Sequence, residues 1–113
     1  MIRIDDSFNE RAVAVRAGEM IEVALAENAS TGYRWIVSSE PGSRLDDTLR
    51  EVGQTAQAQG TQPGMPGIRC FLFEAVVAGN AKLQLEYRRP WEASAEAART
   101  FRLSVEVRPA DGG

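Results

Sequence analysis

Alternating apolar and polar residues predict strands in the last third of the chain. Segments 101–107 and 83–87 carry apolar or aromatic side chains at every second position, with polar residues between them. A period of two is typical of β-strands that have one buried and one solvated face. Upstream, 68–77 is a mostly apolar run, and Ala78-Gly79-Asn80 is a turn sequence. We predict three consecutive antiparallel strands here.

The first half of the chain repeats the pattern in shorter segments. Alternation predicts strands around 13–15, 21–25 and 33–37, and the third of these places Trp35 on the buried side. A weaker strand is expected at 48–56.

Two segments are expected to be irregular. Residues 53–67 are rich in Gly, Pro, Gln and Thr, which predicts a long exposed loop. Residues 93–98 have a helical composition without an apolar stripe, so a loop or a single turn is expected.

Seven to eight short, mostly antiparallel strands with frequent turns predict an all-β fold, an immunoglobulin-like β-sandwich. The Cys-Trp-Cys framework of antibody domains is missing, so the similarity concerns architecture alone. The 113 residues suit a single domain, expected at 1–108, followed by a flexible C-terminal tail at 109–113.

Composition excludes several classes of function. The net charge of −3 and the lack of a basic run argue against nucleic-acid binding. Histidine is absent, which removes Ser-His and Cys-His catalysis and the commonest zinc ligand. We therefore expect no enzyme, no catalytic residues, no metal and no cofactor.

The carboxylate pairs Asp5-Asp6 and Asp46-Asp47 are interpreted as solvated surface. Neighbouring positions of a strand point to opposite faces, which is poor geometry for a catalytic pair.

Cysteine content and hydropathy bear on redox state and location. Cys70 is the single cysteine, so no intramolecular disulfide is possible, and we expect a small buried side chain rather than a reactive thiol. No apolar stretch approaches the roughly 20 residues needed to cross a bilayer, so no membrane association is expected. Residues 1–6 do not resemble a signal peptide. By default we therefore expect a cytoplasmic protein. If a leader sequence was removed, we expect a periplasmic or secreted protein instead.

Three loops contain residues that are unusual for simple connectors. The first has the sequence Asn28-Ala29-Ser30-Thr31-Gly32-Tyr33, with Trp35 two positions later. The second is Gly64-Met65-Pro66-Gly67, and the third is Arg89-Pro90-Trp91.

These loops resemble the motifs of the chagasin family of cysteine peptidase inhibitors, and in the same order. The first resembles Asn-Pro-Thr-Thr-Gly-Tyr/Phe-x-Trp, the second a glycine-rich Gly-x-Gly-Gly element, and the third Arg-Pro-Trp. The similarity covers nearly the whole chain. Ala29, Ser30 and Pro66 depart from the family pattern, which bears on affinity and target range. Ala29 in place of proline is expected to make the free loop more mobile.

The resemblance implies a monomeric, reversible, competitive protein inhibitor that binds the active-site cleft of a papain-like cysteine peptidase. Loops 28–33, 61–68 and 89–92 would enter the cleft, with Thr31 near the catalytic cysteine and histidine of the peptidase. Met65 would lie along the cleft wall and Trp91 would be an aromatic anchor. The implied binding residues are Asn28, Ser30, Thr31, Gly32, Tyr33, Gly64, Met65, Pro66, Gly67, Arg89, Pro90 and Trp91.

Structural roles compete with these functional ones. Trp35 is expected in the core, and Tyr33 either packs at the loop base or contacts the partner. Gly64 and Gly67 taken alone are ordinary loop glycines, and Arg89 could be a solvated cation at a strand end. An alternative function is a carbohydrate-binding or adhesion module, which would require several coplanar exposed aromatic rings.

Overall fold

Eight β-strands make up most of the computed structural model, which describes residues 1–28, 31–38, 48–58, 67–92 and 96–110. A single 3-10 turn, Asp6–Phe8, follows the first strand. In chain order the strands are β1 Ile2–Ile4, β2 Arg11–Arg16, β3 Met20–Glu27, β4 Arg34–Val37, β5 Leu49–Ala58, β6 Gly67–Ala75, β7 Gly79–Arg88 and β8 Arg99–Arg108. No helix in these ranges is long and apolar enough to cross a membrane.

The strands form two four-stranded sheets that pack as a sandwich. The first sheet has the order β1-β3-β6-β5 and the second β2-β8-β7-β4. Strand β1 pairs with β3 in parallel, as β2 does with β8, and every other pair is antiparallel. The prediction of a mostly antiparallel all-β sandwich is confirmed.

The core lies between the sheets and follows the alternation in the sequence. Every second residue is buried over 81–85 of β7 and 101–107 of β8, while the residues between them are exposed or half-buried. Trp35 is 4% exposed, which confirms its predicted core position. Removing these apolar side chains from water is the main force that holds the sheets together. The largest fully buried side chains are Phe71, Phe73, Phe101, Ile4, Ile21, Leu25, Leu49, Leu83, Leu85, Leu103, Val23 and Val105.

The predicted pairing of three consecutive strands is correct for only one pair. Strands β7 and β8 are antiparallel neighbours, but β6 lies in the other sheet, between β3 and β5. The chain therefore crosses between sheets at Val76–Ala78 instead of forming a hairpin. Alternation shows which side of a strand is buried, and it carries no information about the partner strand.

The predicted loop at 53–67 begins too early, because β5 continues to Ala58. The strand that we expected at 48–56 is in fact Leu49–Ala58, with a bulge between Glu51 and Gly53 that leaves Val52 half exposed. An edge strand has a solvated side and can therefore be polar, which made this segment resemble a loop. Residues 59–66 and 93–95 and the last three residues of the tail lie outside the described ranges. The three-residue strand β1 was too short to predict.

Cys70 lies on the outer face of the first sheet and is half-buried, so the expectation of a buried side chain is wrong. Its neighbours Phe71 and Phe73 point into the core, and the period of two therefore directs Cys70 outward. Burial raises the pKa of the Cys70 thiol above its ordinary value, because the thiolate is poorly solvated there.

Candidate functional site

Three connections leave the sandwich at the same end. Strand β3 ends at Glu27, which lies opposite Gly67, and Gly67 in turn lies opposite Ala58. The second connection, 59–66, therefore starts and ends beside the first, which begins at Asn28. The N–H of Asn28 donates to the hydroxyl of Tyr87 at 3.0 Å, which brings the end of β7 to the same place.

The first loop is held as a tight turn by Thr31. The carbonyl of Asn28 accepts from the N–H of Thr31 at 3.2 Å and from its hydroxyl at 2.8 Å. The Thr31 hydroxyl also accepts from the N–H of Tyr33 at 3.3 Å. Gly32 completes the turn with a φ of +81°, a left-handed conformation that favours glycine. Thr31 is left exposed at the end of the molecule.

Arg89 connects the third loop to the first. Its Nε donates to the carbonyl oxygen of Thr31 at 3.2 Å, and its guanidinium carbon lies 4.7 Å from the centre of the Tyr33 ring. Its Nη1 lies 3.4 Å from the Glu92 carboxylate. Arg89 is therefore not a solvated strand-end cation, because it positions both loops.

Trp91 covers Gly32. A Cβ atom placed on Gly32 would lie 2.5 Å from Cη2 of the indole, closer than real Cβ atoms approach other atoms. Trp91 is nevertheless 69% exposed, as expected for a binding side chain. We call Thr31, Gly32, Tyr33, Arg89 and Trp91 the loop cluster.

A buried charge supports the loop cluster from below. Glu27 is 6% exposed. Its carboxylate accepts from the backbone N–H of Trp35 at 2.9 Å and from Nε of Arg69 at 2.8 and 2.9 Å. The indole N–H of Trp35 donates to the carbonyl of Ala26 at 2.9 Å. Strands β3, β4 and β6 are thereby connected directly below the first loop.

Three aromatic rings continue this support into the core. The ring of Tyr87 stacks on that of Tyr33, with 5.3 Å between the ring centres. It also contacts Trp35 in a tilted arrangement, with 5.0 Å between the ring centres. Tyr33 is half-buried, and its ring packs against Tyr87 and beneath the guanidinium of Arg89 at the base of the loop.

Sequence reasoning missed Glu27 and Arg69. A signal was present, because Glu27 continues the inward series Ile21, Val23 and Leu25. A carboxylate at an inward position predicts a buried, paired charge.

The structure brings together most of the predicted binding residues that it describes. Asn28, the loop cluster and the exposed Pro90 lie at one end, and Gly67 is the first residue of β6 beside them. Ser30, Gly64, Met65 and Pro66 lie outside the described residues. Within the described ranges no group of three potential ligand side chains could hold a metal ion. The first and third loops thus contact each other and present an exposed surface at this end of the sandwich.

Comparisons with known proteins agree with this geometry. The sequence model described as "Chagasin family peptidase inhibitor" matches residues 14–105. Amoebiasin-1 of Entamoeba histolytica is 35% identical over 104 residues, covering 92% of this chain and 97% of the relative. Chagasin of Trypanosoma cruzi is 21% identical over 106 residues, covering 93% and 96%.

Solved structures share the fold. The crystal structure of the cysteine protease inhibitor EhICP2 from Entamoeba histolytica has a TM-score of 0.82 at 25% identity, over 95% of each chain. The structure of PbICP-C in complex with falcipain-2 has a TM-score of 0.62 at 19% identity, over 94% of this chain and 89% of that one.

Proposed function

Because this chain belongs to the chagasin family of peptidase inhibitors, we propose that it inhibits papain-like cysteine peptidases reversibly and competitively, by inserting loops 28–33, 61–68 and 89–92 into the active-site cleft. The family consists of inhibitors, and the chain acts by binding rather than as an enzyme. The structural neighbour PbICP-C was solved in complex with falcipain-2, which supports a peptidase as the partner.

The observation that carries the proposal is the contact between the first and third loops. Arg89 bonds to Thr31, and Trp91 lies on Gly32, so two loops 58 residues apart in sequence form one surface. Contacts between the loops that exist before binding reduce the conformational entropy lost on binding, and such preorganisation increases affinity. The exposed indole of Trp91 and the side chain of Arg89 belong to the residue types enriched in binding hot spots.

An aromatic platform for sugars fits this end of the molecule poorly. Trp91 is exposed, whereas Tyr33 and Tyr87 are half-buried, stacked on each other and partly covered by Arg89. The described residues at this end therefore do not provide several coplanar exposed rings.

The proposed function is tested by titrating the purified protein against papain and a lysosomal cathepsin while following hydrolysis of a fluorogenic peptide. Inhibition is expected at submicromolar concentration, with an apparent inhibition constant that rises linearly with substrate concentration. Activity should return on dilution. Trypsin is the control, because its nucleophile and cleft are different. Failure of the folded protein to inhibit both cysteine peptidases would disprove the proposal.

Substituting Trp91 by alanine should weaken inhibition by about 2 kcal/mol or more, roughly thirtyfold, because a large anchor side chain is lost. The free energy of unfolding should change little, since the indole is 69% exposed. Val77→Ala is the matched control, because Val77 is an exposed apolar residue at the opposite end of the sandwich. Equal inhibition constants for Trp91→Ala and the unchanged protein would remove Trp91 from the binding surface.

Replacing Cys70 by serine should leave the inhibition constant unchanged within about twofold. Cys70 lies on the outer face of the first sheet, opposite Ala24 and Thr55, and not in the loop cluster. Its thiol should also react with a disulfide reagent at pH 8 more slowly than free cysteine does, because its raised pKa lowers the thiolate fraction. Loss of inhibition in a folded Cys70→Ser variant would instead place Cys70 in the surface that contacts the peptidase.

A further inference from the structure

The two sheets differ strongly in charge. The strands of the second sheet contain eight Arg or Lys residues and two Glu residues, a net charge of +6. The strands of the first sheet contain three Arg and four Glu residues, a net charge of −1. The whole chain carries −3, so the second sheet is a basic surface on an acidic protein.

Six of the eight cationic side chains point away from the core. The residues next to them in the strand face inward, and successive side chains of a strand point to opposite faces of the sheet. Among the strand residues on that face only Glu86 and Glu106 are acidic, which leaves these residues a net charge of +4. Glu10, which precedes β2, lies 3.7 Å from Arg102 and lowers the net charge of the face to +3. The six residues, which we call the basic face, are Arg16, Arg34, Lys82, Arg88, Arg102 and Arg108.

Two pairs of arginines lie directly opposite each other across neighbouring strands. Arg34 is in register with Arg88, and Arg16 with Arg108. Like charges in facing positions destabilise a sheet. A carboxylate already accompanies one arginine of each pair: Glu86 lies 3.5 Å from Arg88, and Glu106 lies 2.6 Å from Arg108. An anionic partner would add to this compensation.

A cavity in the same face offers a place for a single anionic group. It has a volume of about 260 Å³ and is lined by Glu10, Arg11, Lys82, Leu83, Arg102, Leu103 and Ser104. Three of these side chains are cationic and one is acidic, and Ser104 adds a hydroxyl donor. Arg102 is held by Gln84 at 3.1 Å and by Glu10 at 3.7 Å, which fixes its guanidinium at the cavity.

We propose that the basic face binds a linear acidic polysaccharide that carries sulfate or carboxylate groups. The face extends along the ten residues of β7, about 30 Å at the usual rise of a strand, so several anionic groups of one chain could contact it. The cavity would hold one of these groups, and recognition would rest on charge without aromatic stacking.

Other anionic partners fit this face less well. Among the described residues, Ile36 is the only large apolar side chain that is exposed there. A membrane surface or a protein partner would need more apolar area. Single-stranded nucleic acid would need aromatic rings for its bases, and the exposed Trp91 lies at the end of the sandwich instead.

The test is binding of a fluorescent heparin oligosaccharide at pH 7.4, at several salt concentrations. The protein should bind although its pI is about 5.0, and the affinity should fall steeply with salt, as in other polyanion complexes. The double variant Lys82→Gln/Arg102→Gln should bind at least about tenfold more weakly, with a salt slope lower by about two.

Arg3→Gln/Arg50→Gln is the matched control, because both double variants change the net charge from −3 to −5 and each removes two exposed arginine or lysine side chains. The control pair lies on the first sheet and should keep full affinity. Peptidase inhibition should be the same in both double variants, since none of the four substituted residues belongs to the loop cluster or adjoins it in sequence.

Three outcomes would overturn the proposal. The first is no binding by the folded protein, and the second is equal weakening in both double variants, which would reflect net charge alone. The third is tighter binding to anionic phospholipid vesicles or to single-stranded DNA than to heparin. None of these results bears on the inhibitory function, which is measured separately against the peptidase.

Discussion

Replacing Glu27 by alanine is expected to lower the free energy of unfolding by about 3–5 kcal/mol, because the Arg69 guanidinium would keep a largely buried position without its partner. The backbone N–H of Trp35 would lose its acceptor as well. Side chains of Arg69 and Glu27 are only 16% and 4% exposed, so water cannot replace these bonds easily. Urea denaturation followed by tryptophan fluorescence measures the change.

The matched control is Glu22→Ala, on the same strand. Glu22 pairs with Arg3 at 3.0 Å, but this pair is exposed, with side-chain exposures of 25% and 68%. Exposed pairs contribute about 0–1 kcal/mol, and the control should lose no more than that. Replacing both Glu27 and Arg69 by apolar residues should restore part of the lost stability, since no unpaired charge remains. Similar losses in Glu27→Ala and Glu22→Ala would mean that burial does not strengthen the Glu27 pair.

Replacing Gly32 by alanine is expected to weaken inhibition by roughly thirtyfold, the effect of losing the Trp91 anchor. The new Cβ atom would occupy the position of the indole, which must then move away. The variant should also lose about 1–2 kcal/mol of stability, because alanine is strained at a φ of +81°. Inhibition constants against papain and urea denaturation measure the two effects separately.

Gly18 is the control that separates backbone strain from contact with Trp91. Its φ is +98°, and no atom lies within 4 Å of an added Cβ. Gly18→Ala should therefore lose similar stability but keep full inhibition. The double variant Gly32→Ala/Trp91→Ala should inhibit no more weakly than Trp91→Ala alone if the effect acts through the indole. Additive losses would show that Gly32 contributes independently.

Sequence reasoning found the two loops of the cluster and not the residues that support them. Thr31, Gly32 and Trp91 were predicted from short motifs, which are local. The ion pair between Glu27 and Arg69 joins two strands 42 residues apart, and no local pattern indicates that partner. The middle loop remains a prediction, as do a domain at 1–108 and a monomeric state.

The sequence by itself determined most of the strands and, for β3, β4, β7 and β8, which side is buried, because the alternation of side chains follows from the geometry of a single extended strand. The absence of histidine likewise excluded a catalytic triad of the Ser-His or Cys-His kind. Only the tertiary structure decided that β6 pairs with β3 and β5, that Arg89 meets Thr31, and that six cations share one face. Such pairings depend on the packing of the whole chain, since segments distant in sequence compete for the same partners.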